Sequence, residues 1–290
     1  YFSTFVHEFA HIIFFSEDLF KHFRDADNKE RTDIQKNNTD FGGEKRNLII
    51  APEVLTYARE YFNDNTLIGV PLENGGGSGS AGSHWEKAFM PTEFMNPTVE
   101  YPGIVTQFTL QLAKASGWYT FVDMGYTQTF TWGKGVNDFH KGPCPATNEY
   151  CSSAGQAACS PDFRSKATCT GYDNFMGNCK YKKNDGKYCL KDVPEENKPD
   201  ATEAYGATSR CFLMSSKPKC LKASCDGNNV KVKLASGGEG LCDADGKTIS
   251  INGQDVTCPV SLADFCSKLS DACPDDCSGN GVCLSNKKCF

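Results

Sequence analysis

The chain has 290 residues, of which 39% are hydrophobic and 23% charged, enough to bury one full core and a second, smaller unit and too apolar for a disordered tail. Its net charge of -6, with no long basic run, leaves no electrostatic footprint for a phosphate backbone and argues against nucleic acid as a partner. Runs such as Ile12-Ile13-Phe14-Phe15 fall far short of the roughly 20 apolar residues that cross a bilayer, so no membrane span is expected.

The opening Tyr1-Phe2-Ser3-Thr4-Phe5-Val6 carries no Met, basic segment or cleavage site, so no targeting signal is read and the start is expected upstream. Phe2, Phe5, Val6, Phe9, Ile12 and Ile13 recur at three- and four-residue steps and predict a buried helix from Phe2 to about Phe23. Asp25 to Gly43 is polar and predicts an exposed loop carrying little of the core. Within it, Asn37-Asn38-Thr39 fits a glycosylation sequon, which agrees with secretion although such triplets are common by chance. Ala51-Pro52-Glu53 opens a helix through about Phe62, with proline in the first turn and Val54, Leu55, Ala58 and Tyr61 inside.

Gly75 to Ser83 has the composition of a flexible linker, yet it runs straight into His84-Trp85-Glu86. A backbone that must approach something closely is the alternative. Val105, Phe108, Thr109, Leu112 and Ala113 form a second helical stripe, ending before Gly117-Trp118.

All 16 cysteines lie between Cys144 and Cys289. An even, dense set without repeated CxxC pairs predicts disulfides rather than zinc clusters, and with them an oxidising, extracellular or cell-surface setting. Their connectivity is open. Beyond Lys141 the chain reads as loop-rich, with bridges substituting for a core. At the end, Cys277-Ser278-Gly279-Asn280-Gly281-Val282-Cys283, flanked by Cys273 and Cys289, resembles the front half of an epidermal-growth-factor-like module.

His7-Glu8-Phe9-Ala10-His11 is an HExxH pattern. Histidines four apart on a helix project from one face and can hold one metal ion, for which zinc is suited. Glu8 can then reach a water on the metal without being a ligand and act as its base. The plainer reading is a histidine pair satisfied in a core, but unpaired imidazole or carboxylate is costly in so apolar a stripe. A catalytic zinc needs a third protein ligand and an open position, for which His22, His84 and His140 are the histidine candidates. His84 is the best placed: His22 sits among charged Lys21 and Arg24, and His140 precedes Lys141-Gly142-Pro143 at a domain junction.

The HExxH block, Pro52-Glu53-Val54-Leu55-Thr56-Tyr57-Ala58-Arg59-Glu60-Tyr61-Phe62, Gly79-Ser80-Ala81-Gly82-Ser83-His84-Trp85-Glu86-Lys87 and Glu93-Phe94-Met95 together resemble leishmanolysin, a surface zinc metallopeptidase of the metzincin group. Gly117-Trp118-Tyr119 and Thr131-Trp132-Gly133-Lys134-Gly135 continue the resemblance in the same order, over most of residues 1–143. It implies zinc as cofactor, His7, His11 and His84 as ligands, Glu8 as general base, and Met95 in the Met-turn beneath the metal. Phe14 stands where the family usually has a helix-ending glycine, and Asp64 and Asn137 where it usually has cysteines.

The implied fold is α+β. The C-terminal part of a metzincin catalytic domain, mainly helices and loops, spans residues 1–143, with its sheet-bearing N-terminal half expected upstream. A disulfide-rich, loop-rich domain follows over 144–270, and a partial EGF-like module over 271–290. The implied function is zinc-dependent endopeptidase action on protein or peptide substrates, with surface anchoring through segments outside this chain. The alternative is a catalytically inactive extracellular adhesion or structural protein with a relict peptidase domain.

Overall fold

The computed structural model describes residues 2–98, 103–139, 144–145, 147–191, 193–194, 197–270, 273, 277 and 283–290. They form two compact units, one of Tyr1–Pro145 with Tyr172–Cys179 and one of Ala146–Gly171 with Lys180–Phe290.

The first unit runs α1 (Phe2–Ile13), α2 (Glu17–Phe20), β1 (Gln35–Phe41), β2 (Glu44–Ile49), α3 (Pro52–Phe62), β3 (Val70–Pro71) and α4 (Gln107–Ala115). The helix expected to reach Phe23 ends at Ile13, because the amides of Phe14 and Phe15 both turn onto the Ala10 carbonyl, and Ser16 adopts an extended conformation before α2. Nor is it a buried helix. Phe5, Phe9 and Ile12 are 66%, 47% and 73% exposed, on the side of α1 away from His7 and His11. The apolar period identified a helix correctly but not what covers each face.

The loop expected over Asp25 to Gly43 is also corrected. β1 and β2 form an antiparallel hairpin, Gln35 opposite Ile49 and Phe41 opposite Glu44, with β3 added along β2. Its outward residues are polar, but Ile34, Phe41, Leu48 and Ile49 are buried, so a few anchors fix the register of a mostly hydrophilic ribbon.

Helices α3 and α4 follow the sequence expectation closely. Pro52 occupies the first turn of α3, and Asn63 closes it in a left-handed conformation. Asp64 then accepts from the Thr66 amide and hydroxyl, making a turn. Val54, Ala58, Phe62, Phe108 and Leu112 are buried, and Phe108 meets the Tyr57 and Tyr61 rings edge-on at 4.8 and 5.2 Å. Beyond α4 the chain can leave only through glycine, since a Cβ on Gly117 would sit 2.1 Å from the Arg24 carbonyl oxygen.

The second unit contains a three-stranded antiparallel sheet, β4 (Ala157–Cys159), β5 (Ser165–Cys169) and β6 (Lys182–Tyr188). A six-stranded sheet follows, built from β7 (Ser209–Met214), β8 (Lys217–Asp226), β9 (Asn229–Lys233), β10 (Glu239–Cys242), β11 (Thr248–Ile251) and β12 (Gln254–Thr257), before α5 (Leu262–Ser270). Its order is β10-β9-β8-β7-β12-β11, antiparallel throughout. The expectation that bridges replace a core here is corrected: Phe212, Leu221, Val230, Val232, Val256 and Phe265 form one. In β9 the strict alternation of exposed lysines with buried Val230 and Val232 is the period-two signature of a half-buried strand.

All 16 cysteines pair, as Cys144–Cys179, Cys151–Cys169, Cys159–Cys211, Cys189–Cys220, Cys225–Cys266, Cys242–Cys258, Cys273–Cys283 and Cys277–Cys289. The residues between Cys277 and Cys283, which carry the EGF-like resemblance, lie outside the described ones. Among the described residues no helix is long and apolar enough to cross a membrane.

Candidate metal centre

His7 and His11 stand one helical turn apart on α1, and their Nε2 atoms lie 3.1 Å from each other. The way α1 ends also orients His11, because the turn made by Phe14 and Phe15 brings the Phe15 carbonyl to 2.7 Å from His11 Nδ1. Phe15 is held in turn by burial and by the edge-on Trp85 ring at 5.0 Å. Phe14 is buried and does not take a left-handed φ. The chain therefore leaves α1 without the conformation that a glycine there would supply.

His84 arrives on a folded loop, not a flexible linker. Glu73 closes its base: its amide donates to the His84 carbonyl, its carbonyl accepts from Gly82, and its carboxyl oxygens accept from the Gly75 and Lys87 amides. Between them Gly77–Gly79 form a single 3-10 turn. Gly82 has φ +80°, and a Cβ there would lie 2.4 Å from Glu17 Oε2, so the close approach that the glycine content implies is made to α2. Past His84, Glu86 pairs with Arg46 of β2 and Lys87 with Asp173 at 2.8 Å, which fastens the far side of the loop.

The Nε2 of His84 lies 3.2 Å from that of His7 and 3.2 Å from that of His11, completing a triangle. Each ring turns its other nitrogen onto a backbone carbonyl: Phe94 at 2.5 Å for His7, Phe15 at 2.7 Å for His11 and Ser80 at 2.9 Å for His84. A carbonyl only accepts, so Nδ1 carries the proton in all three, and a neutral ring in this tautomer points its Nε2 lone pair inward. Burial favours that neutral state, pushing the His84 imidazole down to about 4 and lowering that of His11 as well.

Three lone pairs facing one another repel unless a cation lies among them, and the spacing suits one. Nitrogens about 2.0–2.1 Å from a tetrahedral zinc lie roughly 3.3–3.4 Å apart. The donor set of neutral imidazoles with carbonyl partners behind them is what zinc takes, so these residues could hold it. Glu8 is exposed on the same helix, next in sequence to His7.

Met95 is fully buried beside this assembly, and its carbonyl accepts from the Trp85 amide at 3.0 Å. His22 is exposed and lies near Glu30 at 3.7 Å, away from the triangle. His140 falls outside the described residues. Cys273, Cys277 and Cys289 also cluster, but their sulfurs are committed to disulfides. Sequence reasoning missed the three carbonyl partners, which any residue type can supply, and gave no role to Glu93, a fully buried acid that enters only as part of the Glu93-Phe94-Met95 block.

A model of the leishmanolysin family matches residues 1–186. The leishmanolysin-like peptidase of Drosophila melanogaster is 26% identical over 298 residues, covering 72% of this chain and 44% of its own length. The ciliated left-right organizer metallopeptidase of Danio rerio is 25% identical over 221 residues, covering 73% of this chain and 35% of its own length. A leishmanolysin homolog of Crithidia fasciculata is 32% identical over 102 residues, 35% of this chain and 15% of its own length. The chain thus spans less than half the length of each of these relatives.

Proposed function

The chain belongs to the leishmanolysin family, and from that premise we propose that it carries the metal-binding part of a zinc-dependent endopeptidase acting on proteins or peptides. His7, His11 and His84 would hold the zinc. Glu8 would be the general base, and Met95 the Met-turn residue of a metzincin catalytic domain whose C-terminal part is the first unit. The observation that carries this reading is the convergence of three Nε2 atoms, each 3.1 or 3.2 Å from the other two, with every Nδ1 turned away onto a carbonyl.

Bound zinc supplies Lewis acidity, polarising the scissile carbonyl and making water a nucleophile at neutral pH. The protein's part is to keep three rings aligned, each Nδ1 committed to a carbonyl, and to place Glu8 within reach of solvent. Glu8 takes the proton of the attacking water and returns it to the leaving amine as the peptide bond breaks. Eight disulfides are consistent with an extracellular or secreted setting for this chemistry. An adhesive protein with a relict site is the less supported reading, because a relict has no need to keep three separate carbonyl partners aligned behind its histidines.

Proteolysis of an unstructured protein such as casein by the purified full-length protein tests the proposal. Activity should vanish when a chelator strips the metal and return with stoichiometric zinc. Undiminished cleavage after verified metal removal contradicts it.

A further inference from the structure

We infer that Glu93 is a positioning residue that holds His7 and His84 in register, acting through the Phe94 carbonyl on one side and Trp85 on the other. The inference rests on the reading of the three histidines as a metal centre.

His11 takes its partner carbonyl from Phe15, two residues past the end of its own helix. The supports of the other two ligands involve segments farther along the chain. His7 leans on the carbonyl of Phe94, and His84 is followed by Trp85, whose amide and indole are both engaged. These supports meet at Glu93. Its Oε2 accepts from the Met95 amide at 2.5 Å, fixing the turn that presents the Phe94 carbonyl to His7. Its Oε1 accepts from the hydroxyls of Thr109 at 2.6 Å and Thr106 at 3.1 Å and from the Thr106 amide at 3.3 Å. Thr109 in turn accepts from the Trp85 indole at 2.8 Å, and the Met95 carbonyl takes the Trp85 amide.

A fully buried carboxyl is costly to keep unless its bonds are needed. All four of its donors lie on the turn at residues 93–95 or at the start of α4, and both places touch the supports of a histidine. A glutamine in the same space would set an N–H against one of these donors and release either the Phe94 turn or the Thr109–Trp85 link. The competing account is that Glu93 merely braces the start of α4. The two differ in what the metal feels.

The test compares the full-length protein with Glu93→Gln and, as a stability control, Val54→Ala, which opens a cavity on the buried face of α3, a helix that supplies none of the hydrogen bonds to Glu93, Thr109 or Trp85 named above. Zinc affinity is measured by competition with a chromophoric chelator, and ligand geometry by the visible spectrum of the cobalt(II)-loaded proteins. The parent should bind one zinc. Glu93→Gln should bind about tenfold more weakly or worse, as losses behind a metal ligand generally do, with a displaced cobalt spectrum. Val54→Ala should melt lower with affinity and spectrum unchanged. Parent-like affinity and spectrum in Glu93→Gln, even at a lower melting temperature, overturn the inference. A parent that binds no zinc overturns the metal-centre reading itself. Should Glu93→Gln fail to fold, Thr109→Val removes the hydroxyl that joins Glu93 to Trp85 and leaves the Met95 and Thr106 bonds to Glu93 in place, and an unchanged affinity there also overturns the inference.

Discussion

His7 and His84, 77 positions apart in the chain, bring their Nε2 atoms to 3.2 Å from each other while each ring hands its other nitrogen to a carbonyl. Local helix geometry explains the His7–His11 pair. Only the folded loop closed by Glu73 explains the third ring.

If Glu8 serves as base and not as ligand, removing its carboxylate should separate chemistry from metal binding. Glu8→Ala in the full-length protein is expected to keep its zinc and lose turnover by a factor on the order of 10²–10⁴. Metal content by mass spectrometry and cleavage rate measured on the same sample check this, and parent-like turnover rules out the assigned role.

The loop that delivers His84 depends on Gly82. An alanine there must adopt φ +80° and place its Cβ 2.4 Å from Glu17 Oε2. Gly82→Ala should therefore weaken zinc binding, and pairing it with Glu17→Ala should recover part of the loss by clearing the clash, though not the backbone strain. Chelator competition on the two variants measures both effects.

The ring cluster between α3 and α4 anchors the first unit. Phe108 is fully buried against Tyr57, Tyr61, Phe62 and Phe130. Phe108→Ala is expected to cost about 3–5 kcal/mol in denaturant unfolding. A loss below about 1 kcal/mol would mean that the cluster packs otherwise.

Burial pushes the Glu93 carboxyl up to about 7, against hydrogen bonds from Thr109, Met95 and Thr106. Its partners, the Met95 and Thr106 amides and the Thr106 and Thr109 hydroxyls, do not titrate in this range. A group whose folded pKa lies above its ordinary 4.5 holds more protons folded than unfolded. Its stabilisation is thus full at low pH and lost as pH rises through about 7. Between pH 5 and 7.5 the metal-free parent should lose on the order of 2 kcal/mol relative to Glu93→Gln, whose amide does not titrate. Unfolding at both pH values checks this, and a constant difference contradicts it.

Legibility from sequence followed how local each signal was. Pro52 in the first turn with a buried stripe marked α3, and the spacing of Phe108, Thr109, Leu112 and Ala113 marked α4, because helix periodicity is a property of neighbours. HExxH marked His7 and His11 for the same reason, whereas the Gly-Ser-His-Trp-Glu-Lys block marked His84 through the family resemblance. The β1–β2 hairpin stayed hidden because backbone pairing, not side-chain pattern, holds its polar middle. The core of the second unit is built from short strands separated by turns and cysteines, so its period-two signal is brief, as in the alternation of Val230 and Val232 with lysines. The exposure of Phe5, Phe9 and Ile12 could not be read, since periodicity shows that a face is apolar and is silent on its covering.

X-ray absorption at the zinc edge of the purified full-length protein tests the central claim most directly. The account predicts one zinc per chain with three imidazole nitrogens at about 2.0–2.1 Å and a light atom in the fourth position. A sulfur shell near 2.3 Å, or a chain that retains no zinc, would contradict it.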